Sequence, residues 1–157
     1  MMVLHTFNQR TLKVRGAVFL FLETKLLLLR QNNKPFYVLP GGTLEENEST
    51  ADCAVREIKE ELDINIALGP LVAISEFTDA KRHVMDVAFL SSYIAGPVVW
   101  TPPHPENIDE IVWLSKDQLN NVEIKPASIH TFLKTHWDTL EQGKIPLTNP
   151  YIGHECV

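Results

Sequence analysis

Cysteine is almost missing from this sequence: Cys53 and Cys156 are the only two. Two residues cannot build a disulfide framework, and their spacing is not that of a zinc site. They are expected as free thiols in a reducing compartment, which points to the cytoplasm. Long apolar runs are lacking as well. The most apolar stretch, residues 17–29, is broken by Glu23-Thr24-Lys25, and neither half approaches the ~20 residues of a membrane span. Residues 1–10 hold no apolar segment of the signal-peptide kind, so neither a leader nor a membrane partner is expected. Positive charge is in short supply: 14 Lys and Arg face 20 Asp and Glu, a net charge of −6. A general binder of nucleic acid polymers normally carries a basic surface, so that class is set aside. Small phosphorylated ligands stay open, because a divalent cation supplies positive charge locally. Internal repeats, low-complexity tracts and linkers are absent from the sequence too.

What the sequence does hold is the composition of one globular domain. With 157 residues, 45% of them apolar, it can bury a core without disulfides or a structural metal, so a single domain over residues 1–157 is expected. Residues 12–22 and 25–29 read as a strand hairpin turning at Glu23-Thr24-Lys25. Residues 31–35 form a polar turn, and 36–39 a short strand stopped by Pro40-Gly41-Gly42. Residues 71–77, 84–94 and 111–114 read as further strands. The first two are separated by the charged turn 79–82, and a proline-rich loop at 101–107 precedes the third. Helices are expected over 49–62, 116–120 and 127–140, and residues 143–157 as a tail on the surface.

The helix at 49–62 is the most informative element. Ser49 and Asp52 have capping-box spacing, and Ala51, Ala54, Val55, Ile58 and Leu62 make an apolar stripe. On the opposite face Glu57, Glu60 and Glu61 stand at i, i+3 and i+4, which gathers three carboxylates on one patch. At about 6 Å and an effective dielectric of about 20, each like pair costs on the order of 3 kcal/mol. An acidic helix face ordinarily points to water, with Arg56 and Lys59 compensating here. A glycine loop leading straight into this helix changes that balance: such a cluster wants a cation, and hard oxygen donors select Mg²⁺ or Mn²⁺ over zinc. The six histidines show no ligand spacing.

From Gly42 the sequence runs through Glu48, Arg56-Glu57-Ile58 and Glu60-Glu61 to Ile64. This resembles the Nudix box, G-x5-E-x7-R-E-U-x-E-E-x-G-U with U aliphatic, and eight of its nine defining positions match without a gap. Asp63 stands where the family has its last glycine. That departure touches the helix terminus, where a left-handed residue is expected, and removes no acidic residue. Leu39-Pro40-Gly41-Gly42 and Glu45 resemble the family as well.

The resemblance implies an α/β/α sandwich around a mixed β-sheet. It also implies hydrolysis of a nucleoside diphosphate linked to another group. Glu57, Glu60 and Glu61 would bind Mg²⁺, with Mn²⁺ as a substitute, and Glu48 and Arg56 would support the catalytic carboxylates. Gly42 would turn the loop, and Gly41, Gly42 and Arg15 would lie on the substrate side. The general base stays open among Glu57, Glu61, Glu106 and Glu110. Lys81, Arg82 and His83 are read first as a charged turn, and Phe36, Tyr37 and Phe77 first as packing residues, with phosphate contact and base stacking as the alternatives. A modified nucleoside triphosphate, a nucleotide sugar and a small dinucleotide all remain open as substrates. Enzymes of this kind commonly form homodimers; Trp100 and Trp113 are the interface candidates, with the core as their default place. The competing reading is a non-catalytic Nudix-fold nucleotide-binding or sensor domain.

Overall fold

In a computed structural model of the chain, residues 5–7, 10–105 and 107–157 are described. The long strand β2 (Arg10–Leu22) follows the short β1 (His5–Phe7) and organises the sheet. Along one edge β2 holds β7 (Arg82–Ala95) in parallel, from Thr11 opposite Arg82 to Phe21 opposite Ser92. Its other edge takes three antiparallel partners in succession: β1, then β5 (Gly41–Thr43), then β3 (Lys25–Gln31). Two further strands, β4 (Tyr37–Val38) and β8 (Ile108–Leu114), pair with β3. Beyond β7 lie β6 (Asn65–Thr78) and, parallel to it, β9 (Tyr151–Cys156). Helix α1 (Thr50–Leu62) covers one face of this mixed sheet and α2 (Ala127–Glu141) the other.

The covering of both faces explains the apolar runs. Ala17, Val18, Phe19 and Leu20 are all fully buried, as are Leu26, Leu27, Leu28 and Leu29. A strand with two buried faces has no polar side to show, so its sequence loses the alternation of a half-exposed strand. Ala17, Phe19, Leu26 and Leu28 pack with Ile129, Phe132, Leu133, Trp137 and Leu140 of α2. Their neighbours Val18, Leu20, Leu27 and Leu29 pack with Ala54, Ile58 and Leu62 of α1. Each Val, Leu, Ile or Phe among these contributes roughly 1.5–3 kcal/mol by leaving water. The expected α/β/α sandwich is the observed architecture.

Several local expectations change. Residues 143–157 lie mostly on the surface, as expected, but 151–156 form the strand β9 along the edge of β6. Gly41 and Gly42 are strand residues of β5, paired with Ala17 and Gly16. β6 begins six residues before the expected position 71, because the Gly69-Pro70 break is absorbed as a register shift. On α1, Val55 is exposed and Cys53 is buried in its place. Ser49 accepts a 3.0 Å bond from the Asp52 N–H, capping the helix start. At the other end Asp63 adopts φ 57°, ψ 26°, the left-handed cap expected there, and its N–H reaches the Lys59 carbonyl.

Candidate active site

Helix α1 rests directly on β2 because Gly16 has no side chain. A Cβ there would lie 2.5 Å from the Thr50 carbonyl oxygen and 2.9 Å from the Ala54 nitrogen. This close seating brings the acidic face of α1 against β5. At Gly42 a Cβ would overlap the carboxylate of Glu57. Gly42 therefore makes room for a charged group within a strand, where a tight turn was expected. The buried Cys53 thiol donates to the Gly42 carbonyl at 3.3 Å, tying helix to strand, and burial pushes this thiol up to about 11.

Arg56 organises the carboxylates. Its Nε and one terminal nitrogen grip Glu48 at 2.6 and 2.9 Å, a bidentate fork. Its other terminal nitrogen donates to Glu57 at 2.9 Å and Glu60 at 3.0 Å. The same guanidinium reaches the Thr43 carbonyl at 3.3 Å and lies 3.5 Å from Glu45. Held in this way, Glu48 is pulled down to about 2 by its bond to Arg56.

Glu61 has a different environment. Its Oε2 is buried and finds no hydrogen-bond partner. Burial, and then the Glu57 charge beside it, push its carboxyl up to about 8, while the Arg15 guanidinium pulls the other way. An unpartnered buried carboxylate oxygen costs free energy that only a proton or a cation relieves. Among the described residues, no three carboxylate, imidazole or thiolate groups converge as a ready ligand cage. Arg56 instead holds Glu57 and Glu60. The donor set of Glu57, Glu60 and Glu61 is nonetheless all hard oxygen, and its least satisfied member faces inward. That chemistry fits a hard divalent cation such as Mg²⁺.

Beside these carboxylates opens a cleft of about 490 Å³ whose walls include Arg15, Phe36, Thr43, Phe77, Arg82 and Asp86. Thr43 and Arg15 join the two regions: they are register partners across β5 and β2, and the Thr43 carbonyl accepts from Arg56. Arg15 is itself fixed at 2.5 Å from Asp86, its register partner on β7.

A family model for the NUDIX domain matches residues 11–135, most of the chain. The chain belongs to the Nudix family. It is 34% identical over 79 residues to an ADP-ribose pyrophosphatase of Methanocaldococcus jannaschii, a match covering 47% of each chain. It is 34% identical over 82 residues to the human diphosphoinositol polyphosphate phosphohydrolase 2, covering 50% of this chain and 46% of that one. The matches thus span about half the length of these curated relatives. Among solved structures, a MutT protein of Methanosarcina mazei Go1 superposes with a TM-score of 0.67 at 21% identity, covering 87% of this chain and 97% of that one. That likeness supports the fold.

Within this Nudix domain the sequence-expected residues separate into two groups. Glu48, Arg56, Glu57, Glu60, Glu61, Gly42 and Arg15 are brought to one region. Gly41 packs on β2, where a Cβ would meet the Gly16 carbonyl and Ala17. Glu110 lies elsewhere: it accepts from the Tyr37 hydroxyl at 2.9 Å and from Arg30 at 3.3 Å. Glu106 falls outside the described residues. The turn at 79–82 is held by Asp79, which accepts from the N–H groups of Lys81 and Arg82. Arg82 also lies over the Phe77 ring in the cleft wall. Phe36 and Phe77 therefore border the cleft, whereas Tyr37 faces a separate groove with Glu110. Trp100 and Trp113 stack on each other and pack on the α1 side of the core. Sequence reasoning missed Lys13 and Asp86. Lys13 shares a strand face with Arg15, a period-2 signal that was there to read. Asp86 becomes visible only through the β2–β7 register.

Proposed function

We propose that this protein is a single-domain, Mg²⁺-dependent hydrolase of a diphosphate linkage in a nucleoside diphosphate derivative. The observation that carries this reading is the inward-facing, unpartnered oxygen of Glu61 beside Glu57, next to a cleft lined by cations. Glu57, Glu60 and Glu61 are the residues to hold Mg²⁺, with Mn²⁺ as substitute. A divalent ion bound there supplies charge neutralisation of the diphosphate and a lowered pKa for a bound water. Arg56 holds Glu57 and Glu60 in place while Glu48 anchors Arg56. Arg15, braced by Asp86, offers its guanidinium to phosphate oxygens at the cleft. Water attacks one phosphorus and the other phosphate leaves, the proton passing to Glu57 or Glu61.

The relatives named above support the hydrolase part of this reading, one being an ADP-ribose pyrophosphatase and the other a diphosphoinositol polyphosphate phosphohydrolase. We place the protein in the cytoplasm on the strength of its two free cysteines. No described helix is long and apolar enough to cross a membrane. The test is turnover of a nucleoside diphosphate panel with excess Mg²⁺, with Glu57→Gln and Glu61→Gln beside wild type. Loss of at least about 100-fold in kcat for either variant is expected, roughly the 2.7 kcal/mol of one lost charge-stabilising group. Near wild-type turnover in both would overturn the site, and tight nucleotide binding by an inactive wild type would favour the sensor reading.

A further inference from the structure

We propose that Lys13 and Lys34 form an anion subsite that selects substrates carrying phosphate beyond the scissile diphosphate. This rests on the hydrolase reading above and narrows its substrate class. Nucleoside polyphosphates are favoured over nucleotides whose second group is an uncharged sugar.

The cleft is at odds with the chain as a whole. The protein carries a net charge of −6, yet the side chains lining the cleft include Lys13, Arg15, Lys34, Arg82 and Lys125 against one acidic side chain, Asp86, and the α-carboxylate of Val157. Three of the five cations are already answered. Arg15 is paired with Asp86 at 2.5 Å and Arg82 with Asp79 at 2.9 Å. Lys125 is paired with Glu155 at 3.1 Å and Glu123 at 3.5 Å. Lys13 and Lys34 make no ion pair among the described residues.

Both line the same cleft as Arg15. Lys13 and Arg15 are two residues apart on β2, so they share one face of the sheet about 6.6 Å apart along the strand. Arg15 is the register partner of Thr43, whose carbonyl accepts from Arg56. A ligand in the cleft that reaches Arg15 has Lys13 as the next cation on that strand face. Lys34 stands at the cleft mouth, on a turn closed by its own N–H to the Gln31 carbonyl at 3.0 Å and by positive φ at Asn32 and Asn33. Phe36 and Phe77 add flat apolar surface suited to a base. Two ammonium groups facing a confined cleft concentrate anions there. A sugar hydroxyl would leave both without a counter-charge, and a further phosphate would satisfy them with charge-assisted bonds.

Two measurements on wild type, Lys13→Ala, Lys34→Ala and Lys13→Arg test this. The first is calorimetric titration with inorganic tripolyphosphate and with pyrophosphate, no metal added. Each alanine variant is expected to weaken tripolyphosphate binding about tenfold, while pyrophosphate moves less than twofold and Lys13→Arg keeps most of the affinity. The second is steady-state kinetics with excess Mg²⁺ on a nucleoside triphosphate and on a nucleotide sugar. The alanine variants should raise KM for the triphosphate about tenfold with little change in kcat, and leave the sugar substrate within twofold. Equal effects on both anions, or on both substrates, would overturn the subsite. An enzyme inert on every compound would count against the hydrolase reading alone, because the tripolyphosphate titration still decides the subsite.

Discussion

At Gly42 a hydrogen stands where any other residue would drive a methyl group into the Glu57 carboxylate. Gly42→Ala should therefore leave the sheet paired but displace Glu57, with kcat falling at least about tenfold and stability by about 1–3 kcal/mol. Steady-state kinetics and urea unfolding of the same preparation separate the two effects. A second residue-scale consequence concerns pH. Glu61 is raised from 4.5 to about 8 by burial and then by Glu57. The folded chain thus holds this proton more tightly than the unfolded chain does. The associated stability is complete below about 4.5 and is lost as pH climbs to about 8. Glu48 works in the opposite sense. Pulled from 4.5 to about 2 by Arg56, it stabilises above about 4.5 and loses that contribution as pH falls towards 2. Metal-free protein should accordingly melt at progressively lower temperature from pH 4.5 to 8, and Glu61→Gln should flatten that limb. A melting series across pH reads both, and an unchanged slope in the variant would show that Glu61 is not the group responsible.

On the scale of an element, α1 is fastened at both ends by unlike means. Ser49 caps its start, and at its end the Trp100 indole donates to the Leu62 carbonyl at 3.0 Å, satisfying one of the orphan acceptors of the last turn. Asp63 occupies the left-handed position at which the Nudix box pattern has its last glycine. Its 2.5 Å pair with Lys59 lies between side chains 50% and 75% exposed, so water and salt screen it heavily. Relief of the left-handed strain should outweigh loss of that pair. Asp63→Gly is expected to stabilise the protein by about 0.5–1 kcal/mol with kcat within twofold of wild type. Denaturant midpoints at unchanged slope would show it, and a lower midpoint would mean that the Lys59 pair matters more than the backbone.

For the molecule as a whole, β9 covers the edge of β6 and becomes the outer strand on that side. It pairs with β6 from Ile74 to Thr78, and Glu155 binds both Lys125 and the Ala127 N–H at the start of α2. Beyond it, Val157 lines the cleft and donates its N–H to the Thr78 carbonyl. One strand therefore links the sheet edge, α2 and the cleft wall. A chain ending at Pro150 should melt about 5–10 °C lower, the scale of a few lost kcal/mol in a protein of this size. It should also associate through the bared β6 edge, which sedimentation would detect. A truncated chain that stays monomeric with an unchanged melting temperature would reduce β9 to a passive cover.

Much of this was legible in the residues alone because it depends on short-range spacing. The i, i+3, i+4 carboxylates, the Ser49 cap and the buried leucine runs follow from helix and strand periods, which any local window contains. The two-faced sandwich was implied by the resemblance at Gly42 to Ile64, and the continuous apolar strands agree with it because they need cover on both sides. Other features came only with tertiary structure. Asp86 reaches Arg15 because β2 and β7 run parallel in one particular register, across 71 positions of chain. The edge strand β9 exists because β6 offers unpaired backbone groups, a need invisible within Tyr151–Cys156. Gly42 read as a turn because glycine ordinarily signals one, and only the packing of α1 on β5 shows that it makes space for a carboxylate. Local periodicity determined which residues could act; long-range pairing decided which of them meet, because contacts between distant segments depend on the register of the whole sheet.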